Sequence, residues 1–87
     1  MEILVCGDTD SGRAAFEPAR MIDRSPQGVA IIFTREIRAD QRFLLKIKED
    51  SLRVSVYSAR YCQQVSAGVY RIGGSLVHHL GEHATKN

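Results

Sequence analysis

Residues 21–31, MIDRSPQGVAI, set a short polar segment between two apolar runs and decide the fold of this chain. Residues 25–28 suit a type I β-turn, with Ser at the first position, Pro presetting φ at the second and Gly at the fourth. Asp23 can accept hydrogen bonds from nearby backbone N–H groups as the chain enters that turn. The segment therefore predicts strand, tight turn and strand, with Gly28 opening the second strand.

Outward from this turn the chain alternates short apolar runs with polar turns. Residues 43–48 and 52–57 alternate with a period of two and predict a hairpin through 49–51, and residues 63–68 predict a second hairpin. A single all-β domain over residues 1–87 follows, a small six-stranded antiparallel β-barrel with at most a short C-terminal helix in 76–84. Its predicted core side chains are Ile31, Phe33, Phe43, Leu45, Ile47, Val54 and Val56.

Composition indicates an ordinary globular domain. Hydrophobic residues make up 44% and charged residues 25%, and no apolar run approaches the ~18 residues of a membrane span. No charged-then-apolar leader is present, so we expect a cytoplasmic protein. A net charge of +2 is too small to favour a nucleic acid polymer as partner, although an excess of Arg over Lys mildly favours an anionic one.

The Asp23-x-Ser25-x-x-Gly28 element, with the runs QRFLLKIK, SARYCQQ and GVYRIGGSLV after it, resembles the PilZ family over residues 16–77. PilZ domains bind the second messenger cyclic diguanylate (c-di-GMP). The resemblance implies a bacterial regulatory domain with a β-barrel fold. It also implies that Asp23 accepts from a guanine edge, that Ser25 adds a hydroxyl contact and that Gly28 lets backbone approach the ligand.

This chain departs from the family at the Arg-x-x-x-Arg motif that precedes the first strand in tight binders. Only Met1 and Glu2 precede the first apolar run here, so we expect that motif to be missing or supplied elsewhere. The pairs Arg20/Arg24 and Arg38/Arg42 have the right spacing but lie after the first strand, and we treat both as coincidental.

Two hypotheses follow from an incomplete ligand site. In the first, the chain is a c-di-GMP-responsive domain that by itself binds the ligand weakly or not at all. In the second, it is a degenerate PilZ-like module that acts by contact with a protein of the motility, pilus or exopolysaccharide machinery.

Other motifs give weaker indications. The segment 8–12, DTDSG, resembles the start of a calcium loop but lacks the later Gly and Glu, and His78, His79 and His83 lack the further ligands of a zinc site. We expect no metal, no cofactor and no catalytic activity, since no nucleophile and base are ordered for it. Cys6 and Cys62 are expected to be free and poorly reactive, and Gly73-Gly74 to mark a bulge or bend.

Overall fold

The computed structural model describes residues 2–7 and 16–84, with the backbone alone for 81–84. All regular structure in these ranges is β-strand. The strands are β1 (Glu2–Cys6), β2 (Glu17–Pro18), β3 (Arg20–Ser25), β4 (Gly28–Phe33), β5 (Arg42–Lys48), β6 (Ser51–Ser66) and β7 (Val69–Ala84).

The seven strands form one antiparallel sheet in the order β2-β1-β5-β6-β7-β4-β3. Its two edge strands, β2 and β3, are separated in sequence by Ala19 alone. A flat sheet would hold them many strand widths apart, so the sheet curls until its edges meet. The result is a half-barrel, which confirms the predicted all-β antiparallel architecture. The strands number seven rather than the predicted six because Ala19 separates the two-residue β2 from β3.

Local sequence explains the longest hairpin. β6 and β7 each run for 16 residues and are joined at Ala67 and Gly68, where Gly68 takes a φ of 71°. A residue with a Cβ rarely adopts this left-handed conformation, so glycine suits the position. The hairpin reaches past both neighbouring strands, since β4 pairs only with Tyr70–Ser75 of β7 and β5 only with Leu52–Ser58 of β6.

Apolar side chains fill the concave face of the sheet. Five of the seven predicted core residues belong to this cluster. They are Ile31, Phe33, Phe43, Leu45 and Ile47. Ile37, in the connection between β4 and β5, is only 1% exposed and joins them, which the strand pattern did not predict.

The predicted core positions Val54 and Val56 lie outside that cluster. Phe43 pairs with Tyr57 and Leu45 with Ser55, and directly opposed residues share one face. The concave face of β6 therefore carries Tyr57, while Val54 is half-buried on the other face and Val56, although buried, also faces away from the cluster.

The C-terminal segment 76–84, for which we allowed two helical turns, is instead the second half of β7. It pairs with β6 along its whole length, from Tyr57↔Leu76 to Ser51↔Ala84. Backbone hydrogen bonding to a long neighbouring strand outweighs the weak helical pattern of these residues.

Candidate ligand-binding site

The hairpin between β3 and β4 turns at Pro26 and Gln27, as the sequence predicts. Ser25 pairs with Gly28 across the turn. Neither Pro26 nor Gln27 has a positive φ, which agrees with type I and excludes type II. The carbonyl of Gln27 accepts a hydrogen bond from the Leu76 N–H at 2.8 Å, and this bond ties the turn to β7.

Asp23 and Ser25 lie two residues apart on β3, so their side chains share the outer face of the sheet. Oδ1 of Asp23 accepts a hydrogen bond from the backbone N–H of Arg24 at 2.8 Å, the local contact that the sequence predicts. A carboxylate has about four acceptor positions. Asp23 therefore keeps acceptor capacity for another group.

Small residues extend from Asp23 and Ser25 across the outer face. Asp23 pairs with Ala30, Ala30 with Gly73, and Gly73 with Tyr61, which gives one row over four strands. The neighbouring row contains Ser25, Gly28, Ser75 and Ser58. Because the middle of both rows carries little side-chain volume, the surface sinks between β3 and β6.

A depression of about 240 Å³ lies over these rows. Asp23 and Ser25 form one wall, Arg60 and Tyr61 form the other, and the floor includes Gly28 and Gly73. Ligand pockets commonly measure ~300–1,000 Å³, so this one suits a single ring system rather than a whole dinucleotide. The structure thus brings the three predicted site residues, Asp23, Ser25 and Gly28, to one place.

The Tyr61 ring packs directly on the backbone of Gly73. A Cβ built on Gly73 would overlap this ring, so glycine is what allows the close approach. Tyr61 is still 44% exposed and presents an aromatic surface beside the depression. The predicted irregularity at Gly73-Gly74 is present on the facing strand, where the register shifts between Ala59 and Tyr61.

Glycine at position 28 has a structural explanation as well as a ligand-related one. A Cβ at this position would lie 3.0 Å from the carbonyl oxygen of Gly74, tighter than a side chain normally tolerates. Neighbouring strands alone therefore favour glycine here. Its presence is weaker support for ligand binding than the sequence pattern suggests.

Two arginines line the depression, Arg24 on β3 and Arg60 at the register shift of β6. Arg20, the partner of Arg24 in the spacing pattern, is not among the described lining residues, and neither are Arg38 and Arg42. Sequence reasoning missed Arg60 and Tyr61 as site residues. Their signal was the SARY run, which the PilZ resemblance used only as a strand feature.

The remaining candidate motifs do not assemble into sites. His78 and His79 are successive residues of β7 and point to opposite faces, and the described part of the chain holds no group of three or more metal ligands. The segment 8–12 and the side chain of His83 lie outside the described residues. Cys6 is buried and Cys62 partly buried, and both are free, as predicted; their low reactivity stays a prediction.

Comparison with known proteins gives no assignment. The chain matches no family model, no curated protein and no solved structure. Within the described ranges no helix is long and apolar enough to cross a membrane. A function must therefore be argued from the depression itself.

Proposed function

We propose that this chain is a PilZ-like regulatory domain that responds to c-di-GMP through an incomplete ligand site. The observation that carries the proposal is the convergence of Asp23 and Ser25 on one wall of a depression whose other wall is Arg60 and Tyr61. As a receptor domain it would bind its ligand without transforming it, and this role would place it in the cytoplasm.

Each group in the depression has a role suited to a guanine nucleotide. The free acceptor positions of Asp23 suit the adjacent N–H donors of a guanine edge. The exposed ring of Tyr61 suits stacking against the base. The Arg60 guanidinium suits a phosphate, for which its planar fork of donors is well matched.

The affinity should be low. A charge-assisted contact contributes about 1.5–3 kcal/mol, so a depression whose described lining holds no Arg-x-x-x-Arg pair should bind about 10²–10⁴-fold more weakly than one that holds it. A contact from Arg60 would offset part of this loss of binding free energy. That part is small, because Arg60 is solvent-exposed.

Isothermal titration calorimetry with c-di-GMP tests the proposal. We expect weak binding that Asp23→Ala abolishes and Arg60→Gln reduces, because each substitution removes a charged ligand contact from one wall of the depression. Arg38→Ala, which removes an equal charge outside the depression, should leave the affinity nearly unchanged. Equal loss in Arg38→Ala and Arg60→Gln would contradict the site and reduce the binding to bulk electrostatics.

A protein-interaction module is the second candidate, favoured by exposed apolar side chains on the long β6–β7 hairpin. Val65 near its tip is 52% exposed and Leu80 is 56% exposed. A protein of the motility, pilus or exopolysaccharide machinery would be the partner. If c-di-GMP does not bind, Val65→Ser and Leu80→Ser should impair motility, pilus assembly or exopolysaccharide production in cells without lowering the free energy of unfolding.

A further inference from the structure

A second and larger cavity, of about 470 Å³, opens next to the first at the Arg24–Ser25 corner. Its described lining residues are Arg24, Ser25, Pro26, Arg53, Tyr57 and His79. This volume lies within the ~300–1,000 Å³ usual for small-molecule pockets.

The fold places these groups from three directions. Arg53 and Tyr57 come from the concave face of β6, Arg24 comes from β3, and His79 comes from β7. The hydrogen bond from the Leu76 N–H to the Gln27 carbonyl holds the β3–β4 turn against β7. Arg24, which precedes this turn, therefore lines the same cavity as His79 of β7.

Tyr57 and His79 are held in fixed positions. The Tyr57 ring is only 5% exposed and stacks on Phe43 with ring centroids 5.6 Å apart. Nδ1 of His79 lies 2.7 Å from the Oγ of the buried Ser55. This contact fixes the orientation of the His79 ring at the cavity wall.

Both guanidinium groups act on the Tyr57 phenol. Burial raises the pKa of Tyr57, while the positive charges of Arg24 and Arg53 lower it in part. Both arginines line the same cavity as the Tyr57 ring, although they stand on different strands of the sheet.

We propose that this second cavity binds the phosphate or pyrophosphate group of a small-molecule ligand, with Arg24 and Arg53 as charged donors and the Tyr57 hydroxyl as a third. Three donors that arrive from two strands suit a tetrahedral, multiply charged oxyanion better than a planar carboxylate, which one arginine fork satisfies. The inference goes beyond the proposed function, because it needs neither Asp23 nor Tyr61.

Titration of the full chain with inorganic pyrophosphate, followed by ¹H–¹⁵N NMR, tests the proposal. We expect saturable shifts at residues 24, 53, 57 and 79. Arg53→Gln should weaken binding about tenfold, the loss of one charge-assisted contact. Tyr57→Phe, which keeps the stacked ring, should weaken it less. Arg71→Gln, an equal charge change outside both cavities, should leave it unchanged.

Other outcomes decide the matter too. If Arg53→Gln fails to fold, Arg24→Gln provides the same test. Absent shifts, a response to acetate as strong as to pyrophosphate, or equal weakening by Arg71→Gln would overturn the proposal. If GDP binds more tightly than pyrophosphate, the natural phosphate source is an ester; the reverse indicates a free anion. Pyrophosphate binding without c-di-GMP binding would support this cavity while removing the proposed function.

Discussion

The Tyr61 ring packs closely against the backbone of Gly73 beside the depression. The ring can lie on β7 only because position 73 has no Cβ. One glycine thus determines where an exposed aromatic surface stands relative to Asp23. The position of this aromatic wall therefore depends on a residue that has no side chain.

Gly73→Ala should destabilise the chain by about 1–3 kcal/mol, because the new methyl group displaces the Tyr61 ring. In a Tyr61→Ala background the same substitution should cost less than about 0.5 kcal/mol, since nothing is left to displace. Urea unfolding of the four variants measures this coupling. An equal cost in both backgrounds would contradict the packing described.

Tyr57 predicts a pH dependence. Its pKa in the folded chain is raised above the ordinary 10.0 by burial, so the unfolded chain releases this proton first. The contribution of Tyr57 to stability is therefore complete below pH 10 and is lost as pH rises beyond it. Denaturant unfolding from pH 8 to 11 should show a steeper decline for the native sequence than for Tyr57→Phe. Parallel declines would contradict it.

The length of the turn between β5 and β6 determines the register of these two strands, which their own sequences do not reveal. Lys48 pairs with Leu52, so three residues lie between the paired ends of β5 and β6. This odd number places Ile47 opposite Arg53, whereas an even number would place it opposite an apolar neighbour. The period-two pattern correctly predicts both strands. It cannot predict how one strand is set against the other, and this explains why Val54 is only half-buried and why Val56, although buried as predicted, lies outside the concave cluster.

One half of the candidate site was predictable from the sequence and the other half was not. The Asp23-x-Ser25-x-x-Gly28 pattern and its turn follow from local turn chemistry, and the structure contains both. Arg60 and Tyr61 are more than thirty residues away in sequence and reach the site through β7. Only the order of the strands joins them to the turn, and local patterns carry no information on that order.

The connection between β4 and β5 is anchored as firmly as a strand. Ile37 is packed into the concave core, and Asp40, with a φ of 74°, turns the chain so that its N–H donates to the Ala59 carbonyl at 2.8 Å. Ile37→Ala should therefore cost about 2–4 kcal/mol, a core value. Ile22→Ala, the same change at a 43% exposed position, should stay within about 0.5 kcal/mol. Similar costs in chemical denaturation would show that the connection is not part of the core.

At the scale of the whole molecule, the curl of the sheet positions both cavities. The edges meet at Ala19, whose N–H donates to the Ile3 carbonyl at 3.0 Å, and Arg35 after β4 donates from Nε to Glu17 Oε2 at 2.6 Å. The depression over the small residues lies on the outer face of the curled sheet. The larger cavity lies beside the β3–β4 turn. The two cavities share Arg24 and Ser25 as lining residues, so they lie side by side at the β3 edge.

The most direct measurement is a ¹H–¹⁵N NMR titration of this chain with c-di-GMP. We predict saturable shifts at residues 23–28, 60–61 and 73–74, with a Kd weaker than about 10 µM because no Arg-x-x-x-Arg pair is among the described residues that line the depression. Asp23→Ala should remove these shifts, and Arg38→Ala should preserve them. Submicromolar affinity would contradict the incomplete site, and no shift at millimolar ligand, or shifts elsewhere in the sheet, would contradict the receptor role.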